Sequence, residues 1–224
     1  MYEVERLRQL GYNLNSKYLV HSIENYSYIS SNGLGEFKYT INFTLKEDLK
    51  KDLFIFSLFP VEKIQIIEKN IKLFENNIEK LCNFNINLSN LEMIYVFSLK
   101  LECNLAKNRN YLLLFNIKYK NSLDNPDKLY KVLKRIYGET SIANFFILTR
   151  NFPVMRYSVW LKYEGFEISR SELVITDKIN QYGKPENIIY KNDIKIFNDE
   201  VRATIDFPIP DTAYVILTKL CSKK

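Results

Sequence analysis

Residues 36–45 read Glu-Phe-Lys-Tyr-Thr-Ile-Asn-Phe-Thr-Leu, in which apolar and polar side chains alternate without interruption. A β-strand projects successive side chains to opposite faces, so this stretch predicts a strand with one apolar and one polar face. The same alternation returns in residues 95–105, 111–119, 154–163 and 212–220. The chain is therefore predicted to be mainly β, with about a dozen short strands.

Short turn signals separate these strands and predict antiparallel pairs. Asn32-Gly33 supplies the positive φ of a tight turn, so residues 18–29 should pair with residues 36–45. Similarly, 95–105 should form a hairpin with 111–119, and 154–163 should pair with 166–175. Strands at this spacing indicate antiparallel β-sandwich architecture, with two immunoglobulin-like sandwich units and a few short helices.

The predicted domain order follows from the helices between these strands. Residues 1–11 form a short N-terminal helix, 12–122 a first sandwich unit, 123–139 a linking helix and 140–224 a second unit. Asn125, Pro126 and Gly138 predict where the linking helix starts and ends. One large sandwich is the alternative to two units.

Residues 62–81 leave two alternatives open. Their apolar residues are spaced by three and four positions, which is typical of a helix covering one face or edge of the first sheet. Ile64 and Ile66 also fit a short strand, and Asn76 and Asn77 suit a turn better than a helix interior.

Composition bounds the class of protein. With 224 residues and 46% hydrophobic side chains, the chain can bury a core and is not intrinsically disordered. Its net charge of +6 allows binding to nucleic acid, although the basic residues form short groups rather than one stripe. We find no signal-peptide pattern and no apolar run of membrane length, so we expect a cytoplasmic protein without membrane insertion.

Three cysteines are present: Cys82, Cys103 and Cys221. Their odd number and wide spacing argue against a disulfide framework and against a Cys-X-X-Cys metal site. Cys103 lies on the apolar face of a predicted strand, so we expect it to be a buried, inert thiol.

Candidate catalytic residues are few. His21 is the only histidine, and in an apolar strand it is expected to be structural rather than an acid, base or ligand. Glu186 with Asp193 and Lys195 is similar to the carboxylate-X-lysine arrangement of metal-dependent nucleases, in which acids hold Mg²⁺. Trp160 is expected to be the central core residue of a sandwich.

No catalytic, cofactor or metal motif accompanies the alternation. We therefore expect no cofactor and no enzymatic activity, and we predict a binding or sensing module that recognises a protein partner or ligand within a larger assembly. Self-association through a sheet edge or the N-terminal helix fits this class. The alternative is a basic nucleic-acid-binding protein with metal-dependent nuclease activity. An exposed apolar patch or an unprotected sheet edge would favour the first, and a clustered basic face with converging carboxylates the second.

Overall fold

The computed structural model describes residues 2–58, 63–91, 94–138, 140–148, 153–179 and 185–221. Within them the chain forms two helices and fifteen strands. In chain order these are α1 Tyr2–Gln9, β1 Tyr18–Ser30, β2 Leu34–Leu45, β3 Leu49–Leu58, β4 Ile64–Glu75, β5 Ile78–Glu79, β6 Asn83–Leu91, β7 Ile94–Leu105, β8 Asn110–Asn121, α2 Pro126–Tyr137, β9 Ser141–Leu148, β10 Val154–Glu164, β11 Glu167–Thr176, β12 Ile188–Asp193, β13 Ile196–Phe197, β14 Glu200–Asp206 and β15 Ala213–Cys221.

The strands assemble into three sheets. The largest has eight strands in the order β13-β14-β10-β1-β2-β8-β4-β5, the second has β12-β11-β15-β9, and the third has β3-β7-β6. Neighbours are antiparallel, apart from β1 and β10 among the described strands, which are parallel. The predicted mainly β, antiparallel fold with sandwich-like layering is confirmed, whereas the immunoglobulin-like detail stays a prediction.

The stretch at 36–45 lies in β2 and behaves as its alternation predicts. Phe37, Phe43 and Leu45 are fully buried, while Lys38 and Asn42 are exposed. β2 pairs with β1 in the predicted hairpin, and its other edge pairs with β8. One face of the large sheet is therefore apolar and the other meets solvent.

The apolar faces of the three sheets share one core. The Phe37 ring lies 5.1 Å from the Phe97 ring of β7 and 5.4 Å from the Phe115 ring of β8. Val215 of β15 and Leu133 of α2 belong to the same buried cluster. The segments on either side of α2 thus share a sheet and a core, and their division into two units stays a prediction.

Residues 63–81 settle the question that the sequence left open, since they form the strands β4 and β5 and no helix; residue 62 lies outside the described residues. β4 pairs with β8 from Ile64 to Glu75, so its backbone groups are satisfied across the sheet. Asn76 and Asn77 have φ of 48° and 69°, the positive values that a tight hairpin turn requires. The turn chemistry therefore outweighs the helical spacing.

Two predicted hairpins are wrong, although their strands are present. β7 pairs with β3 and β6, while β8 pairs with β2 and β4, so the two lie in different sheets. Likewise, β10 belongs to the eight-stranded sheet and β11 to the four-stranded one. A chain that crosses from one sheet to the facing sheet keeps its apolar side inward, and it therefore has the same alternation as a hairpin.

Both predicted helices are present. α1 packs on the body of the protein through Leu7, which is buried with Tyr12 and Met155. α2 begins where the Asn125 side chain accepts a hydrogen bond from Asp127 N at 2.8 Å. It ends at Gly138, whose φ of 77° lets its N–H reach Lys134 O at 3.0 Å. No helix in the described part of the chain is long and apolar enough to cross a membrane.

The argument from spacing against a disulfide, and the expectation that Cys103 is an inert thiol, are wrong, because Cys82 and Cys103 form a disulfide. Asn83 of β6 pairs with Glu102 of β7, which places the two cysteines opposite each other one position further on. Their Cα atoms are 5.0 Å apart, within the range that a disulfide spans. The β6–β7 pairing thus brings together two cysteines that are 21 residues apart in the chain. Cys221 is the free cysteine among the described residues.

We predict that Gly35→Ala destabilises the fold by about 1–3 kcal/mol, because Gly35 faces the ring of Tyr119 across the β2–β8 pair. A Cβ at Gly35 would lie 2.2 Å from Tyr119 Cζ. Urea unfolding measures the change. In a Tyr119→Leu background the ring is gone and the same substitution should cost much less; an equal cost in both backgrounds would contradict the steric explanation.

We predict that Cys82→Ser with Cys103→Ser lowers the free energy of unfolding by about 2–4 kcal/mol, since the unfolded chain then loses a covalent loop. Denaturant unfolding of the double variant and of the wild type, under non-oxidising and under oxidising conditions, measures the change in the free energy of unfolding. Cys221→Ser is the matched control and should leave stability nearly unchanged. Equal stability of the double variant and the control would show that the crosslink contributes nothing.

Candidate interaction edge

Among the strands whose burial the structure describes, β12, at one edge of the four-stranded sheet, is the longest in which every residue is exposed. All six of its residues are exposed, including Ile188, Ile189 and Tyr190 at 51%, 58% and 49%. Within the described residues, β12 pairs on one side with β11 and has no strand on the other. Edge strands that combine apolar side chains with unpaired backbone groups are ready to accept another strand.

The direction of the free backbone groups follows from the ladder with β11. Ile194 N donates to Ser171 O at 2.8 Å, directly after β12 ends. Hydrogen-bonded and non-bonded pairs alternate along an antiparallel ladder, so Asn192 and Tyr190 also direct their backbone groups toward β11. Lys191 and Asp193 therefore direct theirs outward, to the open edge.

The charged side chains of β12, which could otherwise protect this edge from pairing, form ion pairs with side chains of β11. Lys191 Nζ lies 2.8 Å from Glu172 Oε2, and Arg170 Nε donates to Asp193 Oδ1 at 3.0 Å. Arg170 Nη2 also lies 2.7 Å from Glu172 Oε1, an ion pair that is off the hydrogen-bonding direction. This network is electrically balanced, so the edge presents an apolar strand with its charges already paired.

The three residues of the nuclease hypothesis lie along this same edge without converging. Glu186 precedes β12 and is paired with Lys178 at 2.7 Å. Asp193 ends the strand, seven positions later and roughly 23 Å away in extended chain, and Lys195 follows it. Across the described ranges, no group of three or more His, Cys, Asp or Glu side chains could hold a metal ion.

His21 lies at a bulge in β1, where the register with β2 shifts between Val20 and Ser22. Its Nε2 is 2.7 Å from Thr44 Oγ1, and Thr44 in turn donates to Asn110 Oδ1 at 2.8 Å. The half-buried imidazole thus joins a polar chain across β1, β2 and β8. His21 lies in the eight-stranded sheet, whereas Glu186, Asp193 and Lys195 flank β12 of the four-stranded sheet.

The expectation that Trp160 is a core residue is wrong. It is 39% exposed on the outer face of the eight-stranded sheet, with the Arg202 guanidinium 4.1 Å above its ring and Tyr26 at 5.3 Å. Tyr157 and Tyr163, by contrast, are buried. Trp160 alternates with these two tyrosines along β10, so its side chain lies on the opposite face of the strand. Ser158 and Lys162 share the face of Trp160, and their polarity was the signal in the sequence.

The outer face is charge-balanced around this tryptophan. Lys38 lies 5.1 Å from the Tyr26 ring centroid and pairs with Glu36 at 3.2 Å. Arg202 pairs with Glu200 at 2.8 Å. Lys38 and Arg202 are therefore each paired with a glutamate two positions earlier in the same strand.

A buried polar cluster lies where β1 meets β10. Asn25 Nδ2 donates to Tyr39 OH at 3.1 Å and to Tyr157 OH at 3.3 Å. Burial raises the pKa of Tyr39 to about 12. Burial, together with the neighbouring Tyr39, also raises the pKa of Tyr157. Both phenols are held in the neutral form, as expected for core groups rather than for acid-base catalysts.

The location of the open edge at β12 was not predicted from the sequence. Residues 188–190 are three consecutive apolar residues that break the alternation, followed by Lys191 and Asp193. A strand buried on both faces would show a similar short apolar run. Only the strand order shows that β12 is at an edge and exposed on both faces.

Comparison with known proteins gives shape resemblance only. No protein-family model matches the chain, and no curated protein matches it. Among solved structures it is similar to a proposed protease from Parabacteroides distasonis, with 11% identity, TM-score 0.49, and coverage of 90% of this chain and 40% of that one. It is also similar to an M1 zinc metallopeptidase from Deinococcus radiodurans, with 7% identity, TM-score 0.41, and coverage of 90% and 42%. The chain spans less than half of either protein, and at these scores the likeness assigns no function.

We predict that stability falls as pH rises from about 10 to about 12. The pKa of Tyr39 is near 10 in the unfolded chain and about 12 in the fold, so the stability that neutral Tyr39 contributes is fully present below about pH 10 and is lost as the pH rises toward about 12. Urea unfolding across this range measures the loss. Tyr39→Phe should reduce the slope relative to the wild type, and the buried Tyr157 accounts for the dependence that remains. A slope equal to that of the wild type would contradict the assignment.

Proposed function

We propose that this chain is a non-enzymatic binding module that recognises a protein partner, and that strand β12 is its recognition element. The observation that carries the proposal is the open edge itself: six exposed residues, three adjacent apolar side chains and outward backbone groups at Lys191 and Asp193. Strand addition uses main-chain hydrogen bonds for affinity and side-chain contacts for selectivity. An edge of this kind fits an extended segment of protein.

The charge distribution supports a protein partner over a nucleic acid. Nucleic-acid binding draws its affinity from unpaired basic groups that neutralise phosphates. At the β12 edge, Lys191 and Arg170 are engaged by Glu172 and Asp193. On the outer sheet face, Lys38 and Arg202 are likewise engaged by glutamates. The nuclease alternative draws no support from Glu186, Asp193 and Lys195, which lie in a line rather than around a common point.

The redox state of Cys82 and Cys103 in the cell indicates the compartment of the protein. We propose a cytoplasmic location on the condition that this disulfide is reduced in the cell, because persistent disulfides are typical of oxidising compartments. Alkylation of the native protein before and after reduction distinguishes the two states. Oxidised cysteines in freshly trapped protein would overturn the cytoplasmic proposal without affecting the role of β12.

We predict that Ile189→Lys abolishes capture of the partner, because a charge then occupies the apolar edge. Affinity capture from the native cell, with quantitative mass spectrometry, compares this variant with the wild type. Ile78→Lys is the matched control, because Ile78 is 75% exposed and lies in β5, an edge strand of the eight-stranded sheet. The proposal is overturned if the Ile189 variant captures the same proteins, in the same amounts, as the wild type and the control.

A further inference from the structure

We propose that the partner of β12 is β12 of a second copy of this chain, paired antiparallel across a two-fold axis. This inference rests on the proposed function of β12 and names its partner. Two four-stranded sheets would thereby join into one continuous eight-stranded sheet.

The backbone of β12 is self-complementary. Lys191 and Asp193 each direct one N–H and one C=O to the open edge, as the Ile194 to Ser171 hydrogen bond fixes. A two-fold axis at Asn192 places Lys191 of one copy opposite Asp193 of the other, twice. Each copy then supplies the donors and acceptors that the other lacks, as an isologous interface requires.

Charge selects this register over its neighbours. Shifting the axis to Lys191 would place two lysines directly opposite each other, and shifting it to Asp193 would place two aspartates opposite. Directly opposed like charges destabilise a strand pair, whereas opposite charges stabilise it. The axis at Asn192 avoids both repulsions and gives two Lys191–Asp193 pairs between the copies.

The contacts behind the edge extend this pairing. Lys191 is already held by Glu172, and Asp193 by Arg170, within each copy. Bringing the two edges together links these pairs into an alternating network of four charges on each side of the axis. The same register sets the exposed Tyr190 opposite the half-buried Ile194 of the second copy, which covers part of the apolar edge.

The register is tested by cysteine crosslinking in a Cys221→Ser background. Asn192→Cys places two thiols across the axis at a non-hydrogen-bonded position, where Cα atoms lie about 4.5 Å apart and a disulfide can form. Lys195→Cys is the control, because its two copies would be offset by six positions, roughly 20 Å of extended chain. We expect a crosslinked dimer from the first variant and none from the second.

Association itself is tested by sedimentation velocity from micromolar to millimolar protein. The net charge of +6 per copy opposes association, so the salt is held near 0.15 M, where the screening length is about 8 Å. Lys191→Pro removes an outward N–H without touching the ladder to β11, and Lys191→Ala removes the side chain but keeps that N–H. We expect the proline variant to dimerise roughly tenfold more weakly than the alanine variant, since two hydrogen bonds are lost per dimer.

The outcomes separate this inference from the proposed function. A concentration-dependent dimer that the Asn192→Cys variant crosslinks supports the inference. A wild-type chain that stays monomeric, or a crosslink formed through Lys195→Cys, overturns it. If the chain is monomeric and Ile189→Lys still loses a captured protein, the second copy is excluded as the partner and the binding function of β12 stands.

Discussion

The parallel pairing of β1 with β10 is the constraint on which the rest of the structure depends. It joins a strand from the first third of the chain to one beyond α2, over ten residue pairs from Val20 to Ser30. Below this seam, Asn25 holds the hydroxyls of Tyr39 and Tyr157; above it, Tyr26 contacts Trp160. Backbone hydrogen bonds, a buried polar cluster and an exposed aromatic pair thus coincide at one place. Because this pairing is parallel, a tight turn cannot connect the two strands, and the chain needs a long crossover connection before it returns.

The strand order of the four-stranded sheet leaves β12 at an open edge within the described part of the chain. β15 lies in the middle of the four-stranded sheet, and its residues from Ala213 to Ile216 are buried. β11 is partly covered beside it, and β12 is the outermost strand with both faces exposed. Within the described residues, no layer of the fold covers the apolar residues of β12. Their exposure follows from the position of β12 at the end of the strand order.

The alternation predicted strands reliably but not their partners. β2 and β1 form the predicted hairpin because Gly33, with φ of 82°, allows a tight turn. The 106–109 connection satisfies the same pattern, yet it carries the chain from the three-stranded to the eight-stranded sheet. Trp160 and Cys103 illustrate the same difference between local pattern and strand pairing for single residues. Parity along β10 was sufficient to place Trp160 outside, whereas the Cys82–Cys103 bond required the β6–β7 register.

By itself the sequence determined most of the strands outside residues 62–81, the two helices, the caps of α2 at Asn125 and Gly138, and which side chains can share an apolar face. These follow from local physics: the two-residue period of a strand, the positive φ of a turn residue, and the hydrogen-bonding needs of helix ends. Only the tertiary structure decided which strands pair, that β12 has an open edge within the described residues, and that Glu186, Asp193 and Lys195 flank this strand. Those outcomes depend on contacts between residues far apart in the chain, and the same local pattern is compatible with many such arrangements.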